Sequence, residues 1–283
     1  MKRKFLLLVL TASLVLAACA PAAKVPAGTL NITVSILPQE YFVERIGGEY
    51  VKVNVMVEPG ANPATYEPKP GQMVALANAS AYFSIGVPFE DAWLQKIQAA
   101  NLKMMMVDTT QGIERIATND GGFDPHIWLS PALVKIQSQT IYNTLAELDP
   151  AHIDQFKANL DAFLSDIDQL DTQIRTTIAN TRSKKFIVFH PAWAYFVHDY
   201  GLEEIPIEVG GQEPSAQELA GVIQLAKNEN IKVAFVQPEF SQENAKTIAR
   251  EIGGEVLSVN PLASDWLTNL QKVSGTFAAV LNQ

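Results

Sequence analysis

The sequence predicts an α/β protein of two lobes, each with a mostly parallel sheet flanked by helices, joined by one long backbone helix and enclosing a cleft. Three observations carry this expectation. Strand-like and helix-like segments alternate from residue 30 to residue 107, and again from residue 186 to the end. That is the pattern of strand–helix–strand crossovers in a parallel sheet. Between the two runs, Ile153, Phe156, Leu160, Phe163, Leu164, Ile167, Leu170, Ile174 and Ile178 recur at three- and four-residue steps, with no proline or glycine among them. One amphipathic helix is therefore expected over Ile153–Arg182. At 1.5 Å per residue it would reach about 45 Å and run along a whole bilobed body.

In the first lobe, Leu30–Ile36 reads as a strand and Pro38–Ile46 as a helix. Val51–Val57 alternates as a strand does and stops at Pro59-Gly60. Pro70 begins a helix through Ala79, followed by a strand Ala81–Ile85, a helix Phe89–Ala99 and a strand Lys103–Val107. Beyond the long helix, Phe186–Phe189 is a strand, Pro191–Tyr200 a helix and Ile205–Val209 a strand. Ser215 with Glu218 three residues on is a capping signal for a helix to Glu229. Val233–Val236, a helix Ser241–Ile252, Val256–Val259 and a terminal helix from Ser264 complete the chain. The lobes are thus expected at 29–150 and 184–283, with the connecting helix at 151–183. A cleft between two such lobes is a preferred ligand site.

Residues 1–18 read as a signal peptide. Lys2, Arg3 and Lys4 precede an apolar stretch, Phe5–Leu16, and then Ala17-Ala18 before Cys19. The apolar stretch is shorter than an ordinary membrane span. Cys19 is the one cysteine in the chain, which excludes an intramolecular disulfide. Its setting resembles the bacterial lipobox, which implies lipidation at Cys19 and an extracytoplasmic protein anchored to the cell membrane. An ordinary signal peptide with an accidental cysteine is the other reading. Two acyl chains anchor stably because each buried CH₂ contributes about 0.8 kcal/mol. Residues 20–28, "APAAKVPAG", then serve as a flexible tether. Removal of the three basic residues makes the formal charge of −9 three units more negative. An acidic body argues against nucleic acid as a partner and suits a cationic ligand, as it would many soluble proteins.

Two of the four histidines share a setting. "FDPHIWLSP" at 123–131 and "VFHPAWAYF" at 188–196 each place a histidine beside a proline, with a tryptophan close behind. His190 follows a strand, where ligands of parallel sheets bind. His126 follows Asp124-Pro125 in the other lobe, so both could face one cleft. Neutral imidazole is a common metal ligand, and proline-restricted backbone would preorient it. Each histidine alone fits a structural residue; the matched settings leave the metal reading and the structural one both open.

Several stretches together resemble the metal-receptor lipoproteins of ABC importers for zinc and manganese, the ZnuA/TroA-like family. They are "GANPATYEPKPGQM" at 60–73, "DPHIWLSP" at 124–131, "HPAWAYFVHDYGL" at 190–202, "EPS" at 213–215, "VQPEFS" at 236–241 and "NPLASDW" at 260–266. The resemblance covers the whole mature chain. It implies two α/β lobes rigidly joined by the backbone helix, a divalent metal held between them, and delivery to an ABC permease with its ATPase. It implies a monomer on the membrane surface and no enzymatic activity.

The resemblance also exposes departures. Where the family's first ligand is a histidine, this chain has Ala64. The second and third ligands match His126 and His190. The fourth, usually an aspartate, is Asn260 here, and "IATNDGG" stands where many zinc importers carry a histidine-rich loop. Two imidazoles and one amide oxygen would leave a divalent charge uncompensated in a partly dry cleft. Glu208, at a strand end, is therefore a candidate ligand beside His126, His190 and Asn260. Glu67 and Glu239 are further candidates, each with a surface or structural reading beside it. Asp124 could orient His126, and Glu213 suits the N-terminus of the following helix. His152, His198 and Met104-Met105-Met106 read as surface or core residues, and Trp128 and Trp193 as cleft walls. Nitrogen donors lean to zinc, and added carboxylates lean toward manganese. A receptor of the same fold for a metal chelate or another small solute is the alternative. A zinc hydrolase is the third reading, but the chain has no H-E-x-x-H motif and no placed general base.

Overall fold

The structure, a computed structural model, describes residues 28–118 and 121–283. The signal peptide, Cys19 and nearly all of the tether lie outside them. The first lobe runs β1 (Leu30–Val34), α1 (Leu37–Gly47), β2 (Val51–Val55), α2 (Pro70–Ala75), β3 (Ala81–Ser84), α3 (Phe89–Ala100) and β4 (Met105–Asp108). Two helices follow, α4 (Pro131–Leu148) and α5 (Ile153–Ala179). The second lobe is β5 (Lys185–Val188), α6 (Ala194–Tyr200), β6 (Glu203–Pro206), α7 (Ala216–Asn228), β7 (Val233–Val236), α8 (Glu243–Ile252), β8 (Glu255–Ser258) and α9 (Trp266–Leu281).

Both sheets are parallel throughout and share one strand order, β2-β1-β3-β4 and β6-β5-β7-β8. Each chain segment enters at an inner strand, steps to one edge, then crosses back to build the other side. The direction of winding therefore reverses between β1 and β3, and between β5 and β7. Such a switch point opens a crevice beyond the strand ends. Of the four inner strands, β3 and β7 are buried along their whole length, which is why they read as nearly continuous apolar runs rather than alternating ones.

The long helix is present but shorter than its periodicity suggests. It buries Phe156, Leu160, Phe163, Ile167, Leu170, Ile174 and Ile178, then stops at Ala179 rather than Arg182. The Thr181 hydroxyl and the Lys184 ammonium both donate to the Ile178 carbonyl, at 3.0 and 3.1 Å, and so close the last turn. The Ser183 N–H donates to Leu281 O at 2.9 Å, turning the chain toward β5. At 27 residues the helix spans about 40 Å.

Alternation of strands and helices did not anticipate α4. Its start is encoded in Ser130-Pro131: the Ser130 hydroxyl accepts from Leu133 N–H at 3.2 Å, and Pro131 occupies the first turn. Among the boundaries that move, two bear on the site. β6 covers Glu203–Pro206, so Glu208 follows the strand instead of ending it. The helix expected from Pro191 begins at Ala194, which leaves His190–Trp193 as a short irregular link.

One hydrophobic core runs through both lobes. Phe42 of α1 and Phe163 of α5 pack on Trp266 of α9 (ring centroids 5.2 and 6.3 Å), and Phe277 of α9 in turn stacks on Phe186 of β5 at 4.5 Å. A smaller cluster, with Ile187, Ile207 and Ile248, lies on the outer side of the second sheet. Among the described residues no helix is long and apolar enough to cross a membrane.

Candidate metal centre

His126 and His190 meet in the cleft between the lobes, with ring centroids 5.3 Å apart and planes at 66°. They arrive by different routes. His190 leaves the end of β5, and its backbone is clasped by Gln237 beyond β7: the His190 N–H donates to Gln237 Oε1 at 3.2 Å, and Gln237 Nε2 donates to His190 O at 2.6 Å. Phe240 stacks on the His190 ring at 4.8 Å. His126 sits on no strand. It begins the short 3₁₀ turn Ile127–Leu129, in a loop held by the opposite lobe. Tyr195 of α6 donates its O–H to Asp124 O at 2.9 Å and accepts the Ile116 N–H at 3.0 Å. The Trp128 indole donates to Pro261 O at 2.7 Å, and the Trp266 indole donates to Trp128 O at 2.6 Å.

Each imidazole has a buried carboxylate behind it. Asp124 Oδ1 lies 2.7 Å from His126 Nδ1 and also accepts the His126 N–H at 2.8 Å. Glu208 Oε2 lies 2.5 Å from His190 Nδ1. Both carboxylates are only 7% exposed. A carboxylate can only accept, so each fixes the proton on Nδ1 and leaves the Nε2 lone pair for another partner. Burial alone would raise the Asp124 carboxyl, but the electrostatic pull of His126, the hydrogen bonds from its ring and backbone, and His190 beyond hold it below the usual carboxylate value. Asp124 thus takes the orienting place expected for it, and Glu208 stands behind His190 in the same way.

The cleft has a volume of about 130 Å³. Asn62, Pro63 and Ala64 form one wall, Val87 and Pro88 another, and Trp128, Glu239, Phe240, Pro261 and Leu262 close it around the two histidines. The loop carrying Ala64 is tied down, with Phe89 N–H donating to Pro63 O at 3.1 Å and Ala64 N–H to Asn62 Oδ1 at 2.8 Å. Glu90 fixes the neighbouring wall by accepting the Ile85 and Gly86 N–H groups at 3.0 and 2.8 Å; burial pushes its carboxyl up to about 7.

The other candidates are placed differently. Asn260 turns away from the cleft: its Oδ1 accepts the Leu262 N–H at 2.8 Å, and its carbonyl accepts from Asn269 at 2.7 Å. Glu67 is exposed and does not line the cleft. Glu239 does line it, and its Oε2 is buried without a hydrogen-bond partner. Burial pushes the Glu239 carboxyl up, against the opposing pull of its own N–H and of His190. Glu213 bonds to Asn244 of α8, while Ser215 and Glu218 cap α7. Trp128 walls the cleft as expected, but Trp193 is core, packed on Phe277 at 5.2 Å. Met104 is buried and Met105 and Met106 pack against the core; His198 is exposed, and His152 stacks on Tyr50 at 3.9 Å. Glu204, which nothing in the sequence marked, accepts the Trp193 N–H at 3.1 Å, and burial pushes its carboxyl up to about 7. Among the described residues no three His, Cys, Asp or Glu side chains come together closely enough to hold a metal ion.

Residues 32–280 match the profile of the ZnuA family, described as the periplasmic component A of a zinc-uptake complex. The chain belongs to this family. A crystal structure of ZnuA superimposes with a TM-score of 0.88 at 49% identity, covering 89% of this chain and 99% of that one. A zinc-bound deletion mutant of ZnuA gives 0.87 at 48% identity, over 90% and 99%. The high-affinity zinc uptake system protein ZnuA of Bacillus subtilis is 26% identical over 251 residues, 82% of this chain and 78% of its own length. The family consists of substrate-binding proteins of transporters, not enzymes, and the hydrolase reading falls.

Proposed function

We propose that this ZnuA-family receptor captures a divalent transition metal, zinc before manganese, between the Nε2 atoms of His126 and His190, and delivers it to an ABC permease and its ATPase. The observation that carries the reading is the pair of imidazoles from opposite lobes, each with Nδ1 held by a buried carboxylate. Metal-ligating histidines are oriented in this way. The arrangement also answers the charge problem. Asp124 and Glu208 supply two negative charges one layer behind the imidazoles, so a dication is neutralised without a carboxylate having to touch it. Nitrogen donors favour zinc over manganese. An acylated Cys19 would hold the receptor at the membrane surface, with residues 20–28 as its tether.

The test is His126→Ala combined with His190→Ala. Zinc and manganese titrations should lose all measurable binding while thermal unfolding stays cooperative. Titrations indistinguishable from wild type would end the metal reading. Elemental analysis of untagged protein identifies the bound ion. A second reading, capture of a metal chelate, is favoured by the apolar wall around Ala64, which leaves room beside the histidines for a co-ligand. Mass spectrometry of the solute released on denaturation separates the two.

A further inference from the structure

We propose that Glu239 is the third metal donor of the cleft, turning its Oε2 onto an ion held by His126 and His190; this rests on the metal-receptor reading above. The position follows from topology. His190 follows β5 and Glu239 follows β7, the two strands that flank the switch point of the second sheet. Groups on these two strand ends converge on the crevice where ligands of parallel sheets bind. The residues around Glu239 are registered on His190 itself, through the mutual hydrogen bonds of Gln237 and the stacked ring of Phe240. Glu239 is thereby presented beside the imidazole it would assist.

Its present surroundings give the carboxylate nothing to do. Oε2 is shielded from solvent and accepts no hydrogen bond, a state that costs stability in any folded chain. Asp124, Glu208 and Glu90, the other buried carboxylates near the cleft, are each satisfied by protein donors. Glu239 alone of these keeps an oxygen free. It also has room to move, because it and Leu262 line both the cleft and an adjoining recess formed by Leu37, Pro59, Gly60 and Asn260. The three groups line one cleft without converging in this arrangement, so an unsatisfied carboxylate that can swing toward two free imidazole nitrogens awaits a cation. The resulting donor set of two nitrogens and one oxygen leaves further positions, toward Ala64, for water or a co-ligand.

The experiment uses Glu239→Gln and Glu239→Ala in the full chain, with zinc and manganese chlorides in competition titrations and cobalt(II) absorption as a readout of donor set. Affinity for zinc should fall by about tenfold or more, affinity for manganese by a larger factor because manganese depends more on oxygen donors, and the cobalt spectrum should shift. The metal-free variants should unfold at or above the wild-type temperature, since an unsatisfied buried charge has been removed. Affinities within about twofold of wild type while the two-histidine variant binds nothing would overturn this assignment alone. Retained binding in both sets of variants would overturn the metal-receptor reading with it. Lower affinity accompanied by a lower unfolding temperature of the metal-free protein would make Glu239 a structural residue and also overturn the assignment.

Discussion

The two walls of the cleft are built on opposite plans. The second lobe presents its groups from a switch point: His190, Glu208 and Glu239 lie just beyond parallel strands, and Gln237 locks the backbone between them. The first lobe has a sheet of the same strand order, yet the residues beyond β1 and β3 contribute Val87 and Pro88 and no donor to the cleft. Its histidine comes from a loop whose geometry is borrowed from the other lobe, through Tyr195, Pro261 and Trp266. Identical sheets therefore need not share the chemistry equally. Here each lobe supplies one imidazole with a carboxylate behind it, but the second adds Glu239 to the wall where the first adds Asn62 and the apolar Pro63, Ala64, Val87 and Pro88.

Glu208→Gln and Asp124→Asn probe the two walls directly. Each keeps an acceptor near Nδ1 but removes a negative charge, and each should weaken zinc binding by about 10- to 100-fold, measured against a chromophoric chelator at neutral pH. Unchanged affinity in Glu208→Gln with a loss in Asp124→Asn would show that the two histidine–carboxylate pairs are not equivalent. A smaller change is expected from Ala64→His, which repairs the poorer wall. The Ala64 loop is held by Pro63 and Asn62, so a new imidazole would enter a defined position. Zinc should bind about tenfold more tightly, equivalent to roughly 1.4 kcal/mol, with the gain fading below about pH 6 as the imidazoles take up protons. Equal affinities would show that this loop does not face the ion. The smallest effect belongs to overall shape. With bonds and core crossing between the walls, small-angle scattering with and without zinc should give nearly the same radius of gyration, because metal binding alters loops rather than the angle between lobes. A marked contraction would break the picture of one rigid body.

Much of this was legible in the sequence, and the reasons differ by residue. β7 was readable because a strand buried on both faces is apolar throughout, β2 because its apolar residues alternate, and α5 because its apolar positions keep helical spacing to Ile178. Its end was not, since the residues that stop it do so through side-chain bonds to Ile178 O. His126 and His190 stood out by their proline neighbours. The role of Glu208 did not: β6 ends at Pro206, three residues before the expected Val209, so Glu208 lies past the strand and meets the His190 ring, and strand ends are the least encoded feature. Asn260 resembled a donor until its amide was seen capping its own turn. Glu204 carried no local signal, because its burial depends on chain segments distant in sequence.

The matching strand orders suggest two modules that could be exchanged or expressed separately. The shared core forbids it. Phe163 and Trp266 lie on helices that serve both lobes at once, so a cut at either end of α5 would leave each half with an uncovered aromatic face. For protein engineering this receptor is a single indivisible part: its specificity can be retuned by point changes at the rim, but not by swapping a lobe with that of a relative.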